Sequence, residues 1–508
     1  MKTLILISDQ LRADCLHGAL AGHVETPNFD AFAAEAVSFD RHYSVTNPCG
    51  PSRASILTGL YAMNHRSVRN GTPLARGTPN LATEARRAGH EPLLFGYTDT
   101  PADPTGRAPA DPLLSTEEQV MEGWREMLEM RLMESLPWRA HLRARGYDLP
   151  DYLHFYDNVS PDPDRPARPD DPPFYRAEDS DTAFLTDRLI GELDVRSDRD
   201  WFAMATWIRP HYPLVAPAPF NRLIDPGSLP LPLRIGSYAD EAAVHPFMAG
   251  ALEAPSMRSM VRGARVDPDS DADLQLLRAV YLGLVAEVDA HFGRVIAWLK
   301  ETGQYDDTLI VFFADHGEML GEHRQWGKQT TYEGAWHVPL MIRDPRRPAA
   351  HGSRVSAFTE STDIVPTVLD LIGADIPSGL DGQPLTPFLD ANTPEDWRDA
   401  VHMELEFGEP DHLSARARAT GTSLNRSNLA ILREDRWKLV HFNGGLPPLL
   451  YDLENDPGEL VNLAADPAHA GELLRLTRKL LSHRMAHQNR RLTGWKIGPG
   501  GPREYPQS

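Results

Sequence analysis

Apolar residues along the chain gather in short, almost uninterrupted runs. Thr3-Leu4-Ile5-Leu6-Ile7-Ser8 is the first, and it stops at Asp9. Runs of this length without polar alternation mark strands buried on both faces of a parallel sheet. Similar runs cover 91–96, 201–208, 307–314 and 338–343. The stretches 26–37, 78–89, 179–195, 271–302 and 361–373 read as helices between them. The first is opened by Thr26 as cap and Pro27 in the first turn. Strand alternating with helix predicts an α/β fold, a doubly wound and mostly parallel sheet flanked by helices.

Past residue 380 the pattern changes. The segments 400–407, 429–432 and 437–442 read as antiparallel strands and 468–486 as a helix. They predict a smaller C-terminal α+β domain at 381–508 beside a catalytic domain at 1–380. Within the latter, 101–180 is rich in Pro and Asp around one helical stretch at 116–145, and reads as a lid or insertion. The segment 487–508 carries Gly and Pro without periodicity, and is expected to be an arm that packs on another subunit.

Composition narrows the function. A chain of 508 residues with 41% hydrophobic positions can build a large core. Its formal charge of −21 argues against nucleic acid or anionic membranes as partners. An anionic substrate must therefore be held by local cations. Cys15 and Cys49 are the only two cysteines; no disulfide framework can be argued from two, and a reducing compartment is the simpler reading. With the first strand starting at Thr3 and no long apolar run, the expectation is a cytoplasmic protein.

In open parallel sheets, ligands bind beyond the carboxyl ends of the strands. Four strand candidates end in polar clusters: Asp9-Gln10, Tyr97-Thr98-Asp99, His211 and Asp315-His316. Four such endings from remote segments point to one convergent site. Asp9, Asp315 and His316 are donors suited to Ca²⁺, Mg²⁺ or Mn²⁺, although any single Asp can merely cap a turn. Gln10 reads either as a neutral further ligand or as a donor behind the ligands. Cys49 precedes a short helix begun by Pro51-Ser52, with Arg53 adding a fixed cation. A helix N-terminus attracts anions and activates a thiol. On the residues alone this is an activated residue beside an anion site, or else a buried structural cysteine.

The run Cys49-Gly50-Pro51-Ser52-Arg53, continued to Leu57-Thr58-Gly59, resembles the Cys-x-Pro-x-Arg signature of the type I sulfatases. Leu6-Ile7-Ser8-Asp9-Gln10 and Asp315-His316-Gly317-Glu318 are similar to that family's two metal motifs. Leu450-Tyr451-Asp452-Leu453-Glu454-Asn455-Asp456-Pro457 is similar to its C-terminal signature. Asn70, Gly96-Tyr97-Thr98, Arg209-Pro210-His211 and Lys328 resemble the phosphonate monoester hydrolase and arylsulfatase branch of the alkaline phosphatase superfamily.

The resemblance implies that a maturation enzyme oxidises Cys49 to formylglycine. The hydrated aldehyde then attacks sulfur or phosphorus, and collapse of the hemiacetal releases the anion. It further implies one divalent ion, Ca²⁺ or Mn²⁺, held by Asp9, Gln10, Asp315, His316 and the modified Cys49. Arg53 would hold the diol, while Lys328 and His211 would bind oxygens or protonate the leaving group. Asn70 and Tyr97 would add neutral donors. Where that branch usually carries a further Thr, this chain has Asp99, whose charge should repel dianionic phosphate monoesters most. The expected activity is hydrolysis of singly charged sulfate esters, with promiscuity towards phosphonate monoesters and phosphodiesters. The alternatives are phosphonate monoester hydrolysis as the main activity, or a non-catalytic metal-binding module. A homodimer or homotetramer is the expected assembly. Cys15 and Trp336 are expected to be structural, as is His337, with His65 and Arg66 behind the site or on the surface.

Overall fold

The structure is a computed structural model, and it describes residues 1–489 and 493–504. Eight strands form the central sheet. Their order is Arg354–Val355, Val37–Phe39, Leu340–Arg343, Thr308–Ala314, Lys2–Asp9, Phe202–Pro210, Pro92–Gly96 and Arg125–Glu129. The last five run parallel, while Leu340–Arg343 is antiparallel to both of its neighbours.

Alternation along the strands divides the core in two. Leu4, Leu6, Ile310 and Phe312 face one side, against the helices Pro27–Ala33, Asp181–Asp194 and Asp271–Glu301. Ile5, Ile7, Val311 and Phe313 face the other, against Cys49–Thr58, Leu81–Arg87 and Ile364–Leu371. Burial on both faces explains why the strands read as continuous apolar runs. The doubly wound expectation is met.

The second sheet is ordered Leu449–Asp452, Trp437–Phe442, Asn428–Glu434, Ala400–Glu406 and Thr46–Asn47. Its first four strands are antiparallel. One face packs on the helix Ala470–Ala486 through Leu432, Leu439, Leu476 and Leu480. The fifth strand arrives from the N-terminal region and pairs in parallel with Ala400–Glu406. It ends two residues before Cys49, so the smaller sheet anchors the chain that enters the Cys49 helix.

Three expectations are corrected. The first helix ends at Ala33, and Val37–Phe39 is a strand; Thr26 stands at its cap position without a side-chain hydrogen bond. The stretch 116–145 is not one helix. Arg125–Glu129 extends the edge of the central sheet, and only Leu136–Ala144 is helical, with Pro in its first turn. The tail is not patternless: Trp495–Gly498 and Gly501–Glu504 pair as a hairpin. The expected arm also takes in 490–492 and 505–508, which lie outside the described residues. Among the described residues no helix is long and apolar enough to cross a membrane.

Candidate active site

The four strands with polar endings are consecutive in the sheet: Thr308–Ala314, Lys2–Asp9, Phe202–Pro210 and Pro92–Gly96. Their carboxyl ends therefore open on one place. Cys49 is the first residue of a ten-residue helix aimed at it, and Pro48 occupies the cap position.

Asp9, Cys49, Asp315 and His316 are buried, and one ligand atom from each lies within 4.8 Å of all the others. His316 Nε2 is 3.2 Å from Cys49 Sγ, 3.6 Å from Asp9 Oδ1 and 3.7 Å from Asp315 Oδ2. Nδ1 of His316 lies 3.1 Å from the Gly317 carbonyl. A carbonyl only accepts, so Nδ1 carries the proton and the Nε2 lone pair faces the cluster. Two carboxylates and an imidazole lone pair thus converge, an arrangement a divalent cation matches.

Arg53 clamps the two carboxylates from behind. Nε donates to Asp315 Oδ2 at 2.9 Å, Nη2 to Asp9 Oδ2 at 3.0 Å, and Nη1 to the Tyr97 carbonyl at 3.0 Å. With no exposure of its own, Arg53 fixes the carboxylates instead of facing the cleft. Tyr97 behaves alike. Its hydroxyl donates to Asp9 Oδ2 at 2.7 Å, so that proton is not presented to a ligand. Asp315 also accepts from the Gln10 and His316 backbone N–H groups at 3.1 and 3.0 Å. Burial alone would raise the Asp315 carboxyl, but His316, Arg53 and Lys328 outweigh it and hold it at about 2. Burial, with Lys328 acting the same way, lowers His316 to about 4.

Opposite the carboxylates stand Lys328 and His211. Lys328 Nζ donates to Gln10 Oε1 at 2.8 Å, to Cys49 Sγ at 3.0 Å and to His211 Nε2 at 2.8 Å. His211 Nδ1 donates to the Tyr212 carbonyl, so Nε2 is the acceptor. Burial and then the Lys328 charge push the imidazole well below its ordinary value, leaving it neutral. The Cys49 thiol is pushed up by burial and by Asp9, against Lys328.

Two residues sit at the margin. Asn70 is exposed, and its Oδ1 accepts from the Gly50 N–H at 3.0 Å, bracing the turn that carries Cys49. Asp99 has φ +52°, a left-handed conformation uncommon outside glycine. It is 5% exposed. Burial, followed by Glu118, Asp9 and Glu117 against Arg53, pushes its carboxyl up to about 8.

His65, buried between Ser55 and Ser67, and Arg66, exposed and paired with Glu406, stay outside the cluster. Cys15 is fully buried, and its thiol is pushed up by burial. Trp336 packs in the core against the second sheet. His337 lies 2.7 Å from the Asp40 carbonyl through Nε2.

Sequence reasoning missed three supports. Tyr281 OH donates to the Gln10 carbonyl at 2.7 Å, from the middle of a helix where nothing distinguishes it. Asn47 Nδ2 donates to the Lys328 carbonyl at 3.1 Å. Glu318 accepts from Gln10 Nε2, and its place directly after Asp315-His316-Gly317 was the available signal.

The family model described as Sulfatase matches residues 2–374. A second, described as N-sulphoglucosamine sulphohydrolase, C-terminal, matches 321–486. The multifunctional alkaline phosphatase superfamily protein PehA of Trinickia caryophylli is 35% identical over 509 residues, covering 98% of each chain. The solved phosphonate monoester hydrolase SpPMH from Silicibacter pomeroyi superposes with a TM-score of 0.96 at 53% identity over 99% of each chain. The phosphonate monoester hydrolase of Agrobacterium radiobacter does so with 0.94 at 41% over 100% of each. One family pattern thus takes in the central sheet, the Cys49 helix and the Asp315-His316 turn together, and the chain belongs to the sulfatase family.

Proposed function

We propose that this ester hydrolase cleaves singly charged sulfate esters, and phosphonate monoesters and phosphodiesters with them, at Cys49. The observation that carries the proposal is the meeting of Asp9, Cys49, Asp315 and His316 on one side with Lys328 and His211 on the other. In this reading Asp9, Asp315 and His316, with Gln10 Oε1 and the side chain at 49, hold one divalent ion, Ca²⁺ or Mn²⁺. When bound, the ion supplies Lewis-acid stabilisation of developing negative charge.

The chain's own groups do the rest. Arg53 and Tyr97 keep the two carboxylates in place. Lys328 puts a positive N–H donor beside the reacting side chain, where a sulfuryl or phosphoryl oxygen would come to lie. His211, neutral with Nε2 against Lys328, completes a short proton path for the leaving oxygen. Asn70 holds Gly50, and Asp99 sets which anions are accepted. Burial holds the Asp99 carboxyl largely protonated at neutral pH, so its charge opposes a dianionic phosphate monoester only as pH rises through about 8.

The reading includes oxidation of Cys49 to formylglycine by a maturation enzyme, small-molecule esters as substrates, and a homodimer or homotetramer in the cytoplasm. Two unpaired cysteines support a reducing compartment. Phosphonate monoester hydrolysis as the leading activity is the second reading, favoured by the two solved relatives at 53% and 41% identity.

Turnover of an aryl sulfate, a phenyl phosphonate monoester and a phosphodiester, measured side by side, tests this. All three should be hydrolysed, the sulfate within about tenfold of the best. A phosphonate kcat/KM leading by orders of magnitude would establish the second reading.

A further inference from the structure

Glu318 is buried three residues after Asp315, and both of its carboxylate oxygens are engaged. Oε1 accepts from the backbone N–H of Leu320 at 3.2 Å and of Gly327 at 2.5 Å. Oε2 accepts from Nε2 of Gln10. An ionised carboxylate offers lone pairs and no proton. The Gln10 amide must therefore turn its NH₂ towards Glu318, which leaves its oxygen facing the other way. That oxygen is the atom 2.8 Å from Lys328 Nζ, on the Cys49 side. The Gln10 backbone is held as well, at φ +69°, by Asp315 Oδ1 and by Tyr281 OH, so the free variable is which way the amide faces.

We propose that Glu318 is a positioning residue that sets the orientation of the Gln10 amide, so that an oxygen and not a nitrogen is presented to the cation site. This rests on the reading of Gln10 as part of that site. The same carboxylate restrains Gly327, the residue before Lys328. One buried group thus places both the neutral oxygen and the ammonium that face Cys49.

The consequence is specific. In Glu318→Gln, the atom meeting the N–H groups of Leu320 and Gly327 must stay an oxygen. The new NH₂ then falls where Oε2 was, against the NH₂ of Gln10. Two donors cannot pair. Gln10 relieves the conflict by rotating its amide, and its own NH₂ then points at Lys328 and the cation site. Volume is unchanged; what changes is one acceptor into a donor, together with the loss of the carboxylate charge. Adding Gln10→Glu repairs it, because a carboxylate has an oxygen for each neighbour. Gln10→Glu by itself sets two carboxylates against each other. Each single change should be harmful, and the pair together benign.

The test is a double-mutant cycle read by Mn²⁺ binding. Wild type, Glu318→Gln, Gln10→Glu, the double variant and Asp315→Asn are stripped by chelation and titrated with Mn²⁺, free ion being followed by electron paramagnetic resonance. Both single variants should bind about 10–100-fold more weakly than wild type. The double variant should return to within about threefold, with a coupling well beyond additivity. Wild-type affinity in Glu318→Gln, or a double variant no tighter than either single one, would overturn the proposal. Should Glu318→Gln fail to fold, the double variant must still bind more tightly than Gln10→Glu. Equal binding by wild type and Asp315→Asn would remove the cation site itself, and this inference with it. Loss confined to Asp315→Asn would remove only the role of Glu318.

Discussion

Lys328 Nζ points at Nε2 of His211 across 2.8 Å, and the imidazole can only accept there because its Nδ1 proton is committed to the Tyr212 carbonyl. The ammonium keeps its charge. Burial opposes it, but Cys49, Tyr212 and Asp9 raise it above its ordinary value. Lys328 therefore places one N–H between the two side chains, and its Nζ also lies 3.0 Å from Cys49 Sγ. Lys328→Met keeps the length of the chain and removes this donor. It should lower kcat/KM for an aryl sulfate by about 10²–10³, with the melting temperature little changed. A loss under about fivefold in steady-state kinetics would take Lys328 out of the chemistry.

In the proposed reading, Asp99 tunes which anions are accepted. Asp99→Thr removes the carboxyl and supplies a hydroxyl donor. It should raise kcat/KM for a phosphate monoester by about tenfold or more, since one hydrogen bond to a charged group is worth about 1.5–3 kcal/mol. Phosphonate turnover should rise too. Unchanged ratios across the substrate panel would show that Asp99 does not face the substrate.

Glu287, which is not among the proposed cation ligands, gives a pH test. It is fully buried, with Oε1 accepting from Ser180 Oγ at 2.6 Å and Oε2 without a hydrogen-bond partner. Burial, then Asp181, push it up to about 8 from its ordinary 4.5. A folded value above the unfolded one means that its stabilising effect is full below about pH 4.5. It is lost as pH rises towards 8. Glu287→Gln does not titrate. Its stability relative to wild type should therefore improve by up to about 1.4 kcal/mol per pH unit between pH 5 and 8, and level off above. Thermal melts at several pH values read this directly, and a constant difference would contradict it.

Cys49 should not remain a thiol in protein made alongside its maturation enzyme. Mass spectrometry of the tryptic peptide containing Cys49 should show the aldehyde or its hydrate. Cys49→Ala should reduce turnover to background. An unmodified thiol in fully active protein would contradict the role given to this position.

Much of the fold was legible because burial on both faces left continuous runs such as Leu4-Ile5-Leu6-Ile7, each ending in a polar group. Those endings converge because their strands are neighbours in the sheet. Short strands were not legible: Val37–Phe39 has three residues and Arg354–Val355 two, too few to show a period. Arg125–Glu129 lies at a sheet edge and runs charged, charged, apolar, apolar, charged, a pattern without strand alternation that passes for a helix. At the site, residue types were readable but directions were not. Tyr97 and Arg53 look like ligand donors until their hydrogen bonds to Asp9 and Asp315 are seen. Glu318 and Tyr281 act through Gln10, and a role at one remove leaves no pattern along the chain.

The account stands on a divalent ion between Asp9, Asp315 and His316, against position 49. An anomalous difference map from crystals loaded with Mn²⁺ tests this most directly. It should contain one strong peak per chain, about 2.0–2.6 Å from a carboxylate oxygen of Asp9, one of Asp315 and Nε2 of His316. A map with no peak among these groups, or with its strongest peak elsewhere in a protein that still turns over ester, would contradict it.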